Sequence, residues 1–399
     1  MTLSDYVELN PRVPLVKGET VPFVAMDVVT PGNRWVRPEE ERPATGSGSK
    51  FAPGDTLFAR ITPCLENGKI AQYAGDRPGM GSTELFVLRA RSNISDPAFV
   101  FYFSQNRDLR SSAEKSMSGA SGRQRADISS LSEFQCEFPP LPVQRRIAGI
   151  LSAYDELMEN SQRRIRVLEA MAGALYHEWF VQFRFPGHEK HPRVASPLGH
   201  IPEGWEAKHV PDCVHINPRV TVPRDGEKPF VPMGCLSNDS MLISDIESRA
   251  GNSGAKFQNG DTLFARITPC LENGKTGFVQ FLPDAQAVGF GSTEFIVLRS
   301  RTLTPEFVYC LARSDEFRGV AIKSMSGATG RQRVQEQCFD DFQIAQPPRA
   351  LLDKFSAILA PSFRLIYKLH LQIQNLRRTR DLLLPRLLSG RVNLGENNG

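Results

Sequence analysis

The chain repeats itself. Gly54–Lys69 and Gly260–Lys275 both read GDTLFARITPCLENGK, 206 residues apart in a chain of 399. KSMSGASGRQR from Lys115 returns 208 residues later as KSMSGATGRQR from Lys323, differing only at Ser121 and Thr329. Between these blocks lies GSTE, at Gly81 and again at Gly291. The order is the same in both halves, so one unit is written twice and the fold must present two copies of one surface.

Each copy reads as a globule followed by a long helix. Residues 1–140 form an α/β unit, with β-like runs at Pro22–Met26, Thr56–Ile61 and Leu85–Leu88 and a short helix over Pro97–Ser112. Leu57, Phe58 and Ile61 read as core. From Leu141 apolar residues fall in alternating steps of four and three: Ile147, Leu151, Tyr154, Met158, Ile165, Leu168, Ala172, Leu175 and Trp179, with Ser161 the one polar member. This predicts a spacer helix over 141–187, ended by Pro186-Gly187. A linker and a second globule fill 188–348, and a second spacer helix covers 349–394. Its seam is Phe355, Leu359, Ser362, Ile366, Leu369, Ile373, Leu376, Arg380, Leu383 and Leu387, each a position of the first seam plus 208. Pro361 predicts a kink or restart and Pro385 a bend or end. Residues 395–399 read as a tail.

A helix with a seam of ~50 Å, at ~1.5 Å per residue, needs a partner along its length. Two equivalent helices in one chain satisfy each other most simply as an antiparallel pair related by a pseudo-two-fold axis. Trp179 is then expected to meet Phe355, Tyr154 to meet Arg380, and Ala172 to meet Ser362. The expected fold is α/β (α+β): two similar globules separated by two long helices packed as an antiparallel coiled coil. Similar inverted surfaces at a fixed spacing suit a duplex with two separated half-sites, and such a rod spans roughly 15 base pairs at ~3.4 Å each.

Composition narrows the class. A net charge of +4 permits a nucleic-acid partner without demanding one. Seven cysteines without a C-x-x-C pair read as free thiols, and no apolar run reaches the ~20 residues that span a bilayer, so a cytoplasmic protein is expected. His188, His191 and His200 match no zinc spacing. Nucleotide-binding G-x-x-x-x-G-K-[ST] and the N-P-P-[YF] of methyl transfer are both missing from the sequence. No catalytic or metal-binding residue is assigned.

The repeated blocks, FPPLPVQRRIAGILSAYDELM (Phe138–Met158), IPEGWE (Ile201–Glu206) and LLLPRLLSG (Leu382–Gly390) together resemble the specificity subunit of type I restriction–modification systems. The resemblance covers nearly the whole chain, although the first unit lacks a counterpart of IPEGWE. It implies two target recognition domains and a coiled-coil spacer in a non-catalytic chain that binds a bipartite DNA target. The implied partners are double-stranded DNA, two methyltransferase subunits and restriction subunits. S-adenosylmethionine, ATP and Mg belong to those partners, with no cofactor on this chain. Trp179, Phe180 and the outer helix faces become candidate docking sites for methyltransferase helices. Because the two copies are alike, the half-sites are expected to be similar and inverted.

The DNA-contact candidates follow from side-chain chemistry. Glu66, Asn67 and Lys69, with Glu272, Asn273 and Lys275, occupy a turn whose groups suit base edges and phosphates. The alternative for that turn is a core connection. Lys115, Arg123, Gln124 and Arg125, with Lys323, Arg331, Gln332 and Arg333, combine cations with Gly-rich backbone suited to phosphate oxygens, against a solvated loop. Ser82, Thr83, Ser292 and Thr293 are weaker candidates, against an ordinary turn.

Overall fold

The computed structural model describes residues 1–120, 122–328 and 330–391. Ser121, Thr329 and the proposed tail at 395–399 lie outside them, as does the end of the second spacer beyond 391. The chain divides into two units. The first comprises Met1–Asn160 and the stretch from Ile373, and the second Ser161–Gln372.

In the first unit, strands β1 (Val7–Leu9), β3 (Trp35–Val36), β6 (Thr56–Ala59), β7 (Ile70–Tyr73) and β9 (Leu85–Ala90) form a sheet in the order β1-β9-β6-β7-β3. Strands β2 (Thr20–Val24), β4 (Glu40–Pro43), β5 (Ser49–Phe51) and β8 (Gly79–Gly81) form a second, in the order β4-β2-β8-β5. All four residues of β6 are buried. Its side chains alternate, so Phe58 enters a core with Phe86, Phe99 and Leu109, while Leu57 enters another with Phe51, Tyr73 and Val87. A strand enclosed on both faces explains why TLFA is continuously apolar apart from Thr56. Ile61, expected in the core, is half-buried, because the chain has already left the sheet for a turn.

The helix expected over Pro97–Ser112 is two helices, α1 (Pro97–Ser104) and α2 (Arg107–Lys115). Asn106 divides them: its side chain accepts from the amides of Asp108 and Leu109 and so caps the second helix.

The long helix α3 covers Leu141–Tyr176 and passes into one π-helical turn, His177–Val181. It stops before the expected Pro186-Gly187 because the chain turns back at Phe183 (φ 57°). Arg184 there clasps Glu178 through two hydrogen bonds of 2.7 and 2.5 Å.

After α3 the second unit continues with β10 (Arg193–Ser196), β11 (Gly199–Pro202) and β12 (Glu206–His209) and then repeats the plan. β13 (Val214–Ile216), β17 (Thr262–Ala265), β18 (Thr276–Phe278) and β20 (Phe295–Ser300) pair in the order β13-β20-β17-β18. β14 (Lys228–Val231), β15 (Glu247–Arg249), β16 (Ala255–Phe257) and β19 (Gly289–Gly291) pair in the order β15-β14-β19-β16. Helices α4 (Pro305–Arg313) and α5 (Asp315–Lys323) follow, and α6 runs from Arg349 to Leu388.

No break occurs at Pro361 or Pro385, contrary to expectation, since one helix spans both. Pro361 is exposed, as is Ala357, so water can satisfy the carbonyl that the proline leaves without its amide.

Within the first unit, Ile147 and Leu151 of α3 share a core with Leu387 and Leu383 of α6, while Arg380 bonds Asp155. Rising numbers on one helix meet falling numbers on the other, so the pair is antiparallel. Asp155, not Tyr154, faces Arg380, and Tyr154 is only half-buried. An α-helix has 3.6 residues per turn, so a strict 3.5-residue seam drifts by a position over several turns. Of the other seam candidates, Met158 is buried, and Leu376 and Leu383 are half-buried. Ile373 is buried at 7% exposure.

In the second unit, Trp179 meets Phe355 with ring centroids 5.9 Å apart. Ile165, Leu359, Ile366 and Leu369 are buried, whereas Leu168 and Leu175 are half-buried. Phe363 takes the buried place expected of Ser362, whose hydroxyl donates back to Ile358 O at 3.2 Å. Phe180 packs on Phe307, Phe355 and Trp205 at 4.7, 4.8 and 5.9 Å. Trp179 and Phe180 are therefore core residues of this unit, not exposed docking sites.

Each globule is fastened to its helices by different chemistry. In the first unit the Tyr102 hydroxyl donates to Asp155 at 2.5 Å, and Arg380 holds the other carboxylate oxygen and Gly32 O. Buried Arg34 joins them, donating to Gln72 at 2.9–3.0 Å and to Ser152 at 2.5 Å. In the second unit the residues 208 further along, or back, are Cys310 for Tyr102, Phe363 for Asp155 and Ala172 for Arg380. There the place of the ion pair is taken by rings: Phe363 lies 5.4 Å from Tyr309 and 5.1 Å from Phe278. The polar fastening moves to Glu169, which accepts from Ser240 Oγ (2.7 Å), Met241 N (2.6 Å) and Tyr309 Oη (3.1 Å).

Candidate nucleic-acid interface

The opening residues of the repeated sixteen are structural. Gly54 (φ 88°) makes a turn that L side chains resist, and buried Asp55 takes Arg89 through bonds of 2.8 and 2.6 Å. Asp261 and Arg299 repeat the pair at 2.7 and 2.6 Å.

Beyond β6 the chain forms a tight turn over 61–69. Its backbone closes on itself, with Leu65 N donating to Ile61 O, Asn67 N to Pro63 O and Lys69 N to Cys64 O, each at 3.0 Å. Arg110 of α2 fixes it from below by donating to Leu65 O and Glu66 O at 3.3 and 3.0 Å. Arg318 does the same for Leu271 O and Glu272 O, both at 3.2 Å.

Lys69 faces inward, donating to Met26 O at 2.7 Å, and Lys275 likewise to Met233 O at 3.1 Å. These two candidates hold the turn in place. Glu66 accepts from Thr62 Oγ1 at 2.9 Å, while Asn67 stands exposed with no side-chain partner among the described residues. Glu272 and Asn273 are exposed in the second copy.

The Gly-rich segment closes over this turn. Ser118 and Arg125 exchange backbone hydrogen bonds of 3.1 and 2.9 Å, enclosing a loop that contains Gly119 (φ 123°), Gly122 (φ 79°) and exposed Arg123. Thr62 N donates to Gln124 O at 3.0 Å, and Ala126 N to Arg60 O at 2.7 Å. In the second copy Thr268 N donates to Gln332 O at 3.1 Å, and Val334 N to Arg266 O at 2.8 Å.

GSTE supplies the third side. Arg125 grips Glu84 by three contacts of 2.6–3.0 Å, and Arg333 grips Glu294 by three of the same range. The guanidinium hydrogen bonds hold both carboxyls below the usual carboxylate range. Ser82 and Ser292 accept from the Glu84 and Glu294 amides at 3.2 Å, which leaves Thr83 and Thr293 exposed.

Three blocks distant in sequence thus meet in each unit. Lys115, Arg123, Lys323 and Arg331 are exposed and make no side-chain hydrogen bond or ion pair among the described residues. Arg125, Arg333, Lys69 and Lys275 are already engaged. Sequence reasoning passed over Glu84, Glu294, Arg110 and Arg318, which hold the surface together. For Glu84 and Glu294 the signal was present in the repeated GSTE; Arg110 and Arg318 lie in less similar stretches.

It also passed over a cleft of about 530 Å³ in the second unit, lined by Asn217, Arg219, Lys256, Arg266 and Thr293. Asn217 (φ 49°) anchors one wall by accepting from Val297 N at 2.8 Å. The repeated tripeptide Asn10-Pro11-Arg12 and Asn217-Pro218-Arg219 was the available clue.

Residues 57–170 match the family model described as the type I restriction modification DNA specificity domain. Over those residues the chain is similar to the DNA specificity domain of type I restriction–modification systems. It is 25% identical over 295 residues to the type I restriction enzyme MjaIX specificity subunit of Methanocaldococcus jannaschii, covering 71% of this chain and 66% of that one. It is 32% identical over 155 residues to the EcoEI specificity subunit of Escherichia coli, covering 37% and 26% of the respective chains. These matches therefore span less than two thirds of either relative. The type I restriction–modification S subunit of M. genitalium shares the fold with a TM-score of 0.55 at 15% identity, covering 97% of this chain and 95% of that one. Among the described residues no helix is long and apolar enough to cross a membrane, and no group of three metal-ligating side chains occurs.

Proposed function

We propose that the chain is the DNA-reading, non-catalytic subunit of a cytoplasmic type I restriction–modification complex. The observation that carries this is the meeting of the same three blocks in both units, each with an unpartnered arginine in the Gly-rich loop and an unpartnered lysine ending the helix before it. Cations with no carboxylate of their own to satisfy are suited to phosphate oxygens, and Asn67, Thr83, Asn273 and Thr293 beside them can address base edges. The target is bipartite, with one half-site for each unit and an unread gap between. Two methyltransferase subunits carrying S-adenosylmethionine and restriction subunits using ATP and Mg supply the chemistry.

The test is retention of duplex DNA by the chain purified with its methyltransferase partner, measured as salt is raised. Sequence-selective binding that falls by several orders of magnitude between 50 and 200 mM salt is expected, at ~0.9 log units per log salt for each phosphate contact. Replacing Arg123 and Arg331 by Ala is expected to lower that slope by about two. Association with the partner but with no duplex would overturn the reading in favour of a plain coiled-coil interaction protein. Methylation mapping of a genome expressing the complex is expected to return similar, inverted half-sites, and two unrelated half-sites would defeat that part.

A further inference from the structure

We propose that the cleft beside Thr293 is a second DNA-backbone seat, in which Arg219 and Lys256 hold phosphates of the duplex. The inference rests on the DNA-reading function above and extends the surface that carries it.

The cleft joins the candidate interface physically, because Thr293 of the GSTE turn and Arg266 at the end of β17 line both. No aspartate or glutamate is among its lining residues, while three cations are. Glu336 already engages Arg266 at 2.7 Å. Arg219 and Lys256 supply the uncompensated charge. Arg219 is exposed and forms no hydrogen bond or ion pair among the described residues, and Lys256 has only a 3.4 Å contact with Gly254 O. Two unneutralised cations facing a cleft without carboxylates make an anion seat, and a polyanion already bound at the adjoining turn is the nearest occupant.

The walls are fixed before any ligand arrives. Gly254 (φ 106°) lies so close to β19 that a Cβ there would stand 1.9 Å from Gly291 O, so this wall tolerates no side chain. Asn217 ties the opposite wall to β20. The equivalent positions of the first unit hold Arg12, Lys50, Arg60 and Thr83, so the cationic set belongs to the repeat. Past a shared valine (Val13, Val220) the repeat breaks, and Thr221 answers Pro14. The seat would therefore be common to both halves while its rim differs.

The test uses the full chain with its methyltransferase partner and a fluorescent 40-base-pair duplex of random sequence, titrated at stepped salt. Arg219→Ala with Lys256→Ala is expected to weaken binding roughly tenfold or more and to lower the salt slope by about two, as two lost phosphate contacts require. Lys190→Ala, an exposed cation in the linker, serves as the control and is expected to leave both unchanged. Both cleft side chains reach solvent, and an unaltered thermal transition would confirm that the variant is folded. If wild type binds the duplex and the double variant matches it in affinity and slope, the seat is refuted while the DNA-reading function stands. If wild type retains no duplex while Arg123 and Arg331 variants also change nothing, the function fails and the seat with it.

Discussion

Arg123 and Arg125 stand two residues apart in one loop and do different work. Arg123 is exposed and unpartnered; Arg125 is spent on Glu84. Replacing Arg125 by Ala should therefore loosen the loop before it affects any DNA contact. Arg125 is solvent-exposed and Glu84 half-buried, so solvent screening keeps the contribution of the pair small. Glu84 sits below its ordinary pKa, so that contribution is present above the usual glutamate value and disappears as pH falls through the depressed one. Urea unfolding at neutral and acid pH should show wild type and Arg125→Ala diverging only at the higher pH.

Glu169 behaves oppositely. Burial raises its pKa, so stability falls as pH rises from the ordinary glutamate value through the raised one. Glu169→Gln can still accept from Ser240 and Met241 while donating to the Tyr309 oxygen, and should remove that pH dependence. Glu169→Ala strands those donors and should cost about 2–3 kcal/mol. Equal urea midpoints for the two variants would contradict this account. Neither distinction could be read from sequence. Arg125 and Lys69 look like free cations there, because Glu84 and the Met26 carbonyl lie about 40 residues away along the chain.

The long helices were the most legible elements. Their apolar residues recur regularly enough to set length and pairing, and Trp179 beside Phe355 was readable from the antiparallel, pseudo-two-fold pairing of the two seams. What escaped was the choice between adjacent positions, Asp155 over Tyr154 and Phe363 over Ser362, which depends on what each globule offers in return. Local rules also overstated Pro361. In a helix interior proline costs ~3 kcal/mol relative to alanine, but here the carbonyl it frees can face water and the packing of α6 holds the helix through it. Pro361→Ala should consequently stabilise the chain by about 1–3 kcal/mol, seen as a higher melting temperature. No gain, or a loss, would show that proline is favoured at that position for another reason.

At the scale of the whole molecule, duplication was plain in the sequence, and it proved truest where the surface meets its proposed ligand. The turn, the GSTE corner and the Gly-rich loop are reproduced almost bond for bond in both units. Away from them the copies diverge, because each globule is fitted to its own stretch of helix. Tyr102, Asp155 and Arg380 stand where the other copy has Cys310, Phe363 and Ala172. The near-identical blocks invite recombination between the two halves of the gene, since a crossover there would preserve every feature of the repeated surface. Such a recombinant would nonetheless seat a tyrosine hydroxyl against phenylalanine, or an aspartate opposite cysteine. Each such mispairing leaves a buried polar group unanswered at about 1–3 kcal/mol. The two heads are keyed to their sockets, and a head can be exchanged intact only if the residues beneath are exchanged with it.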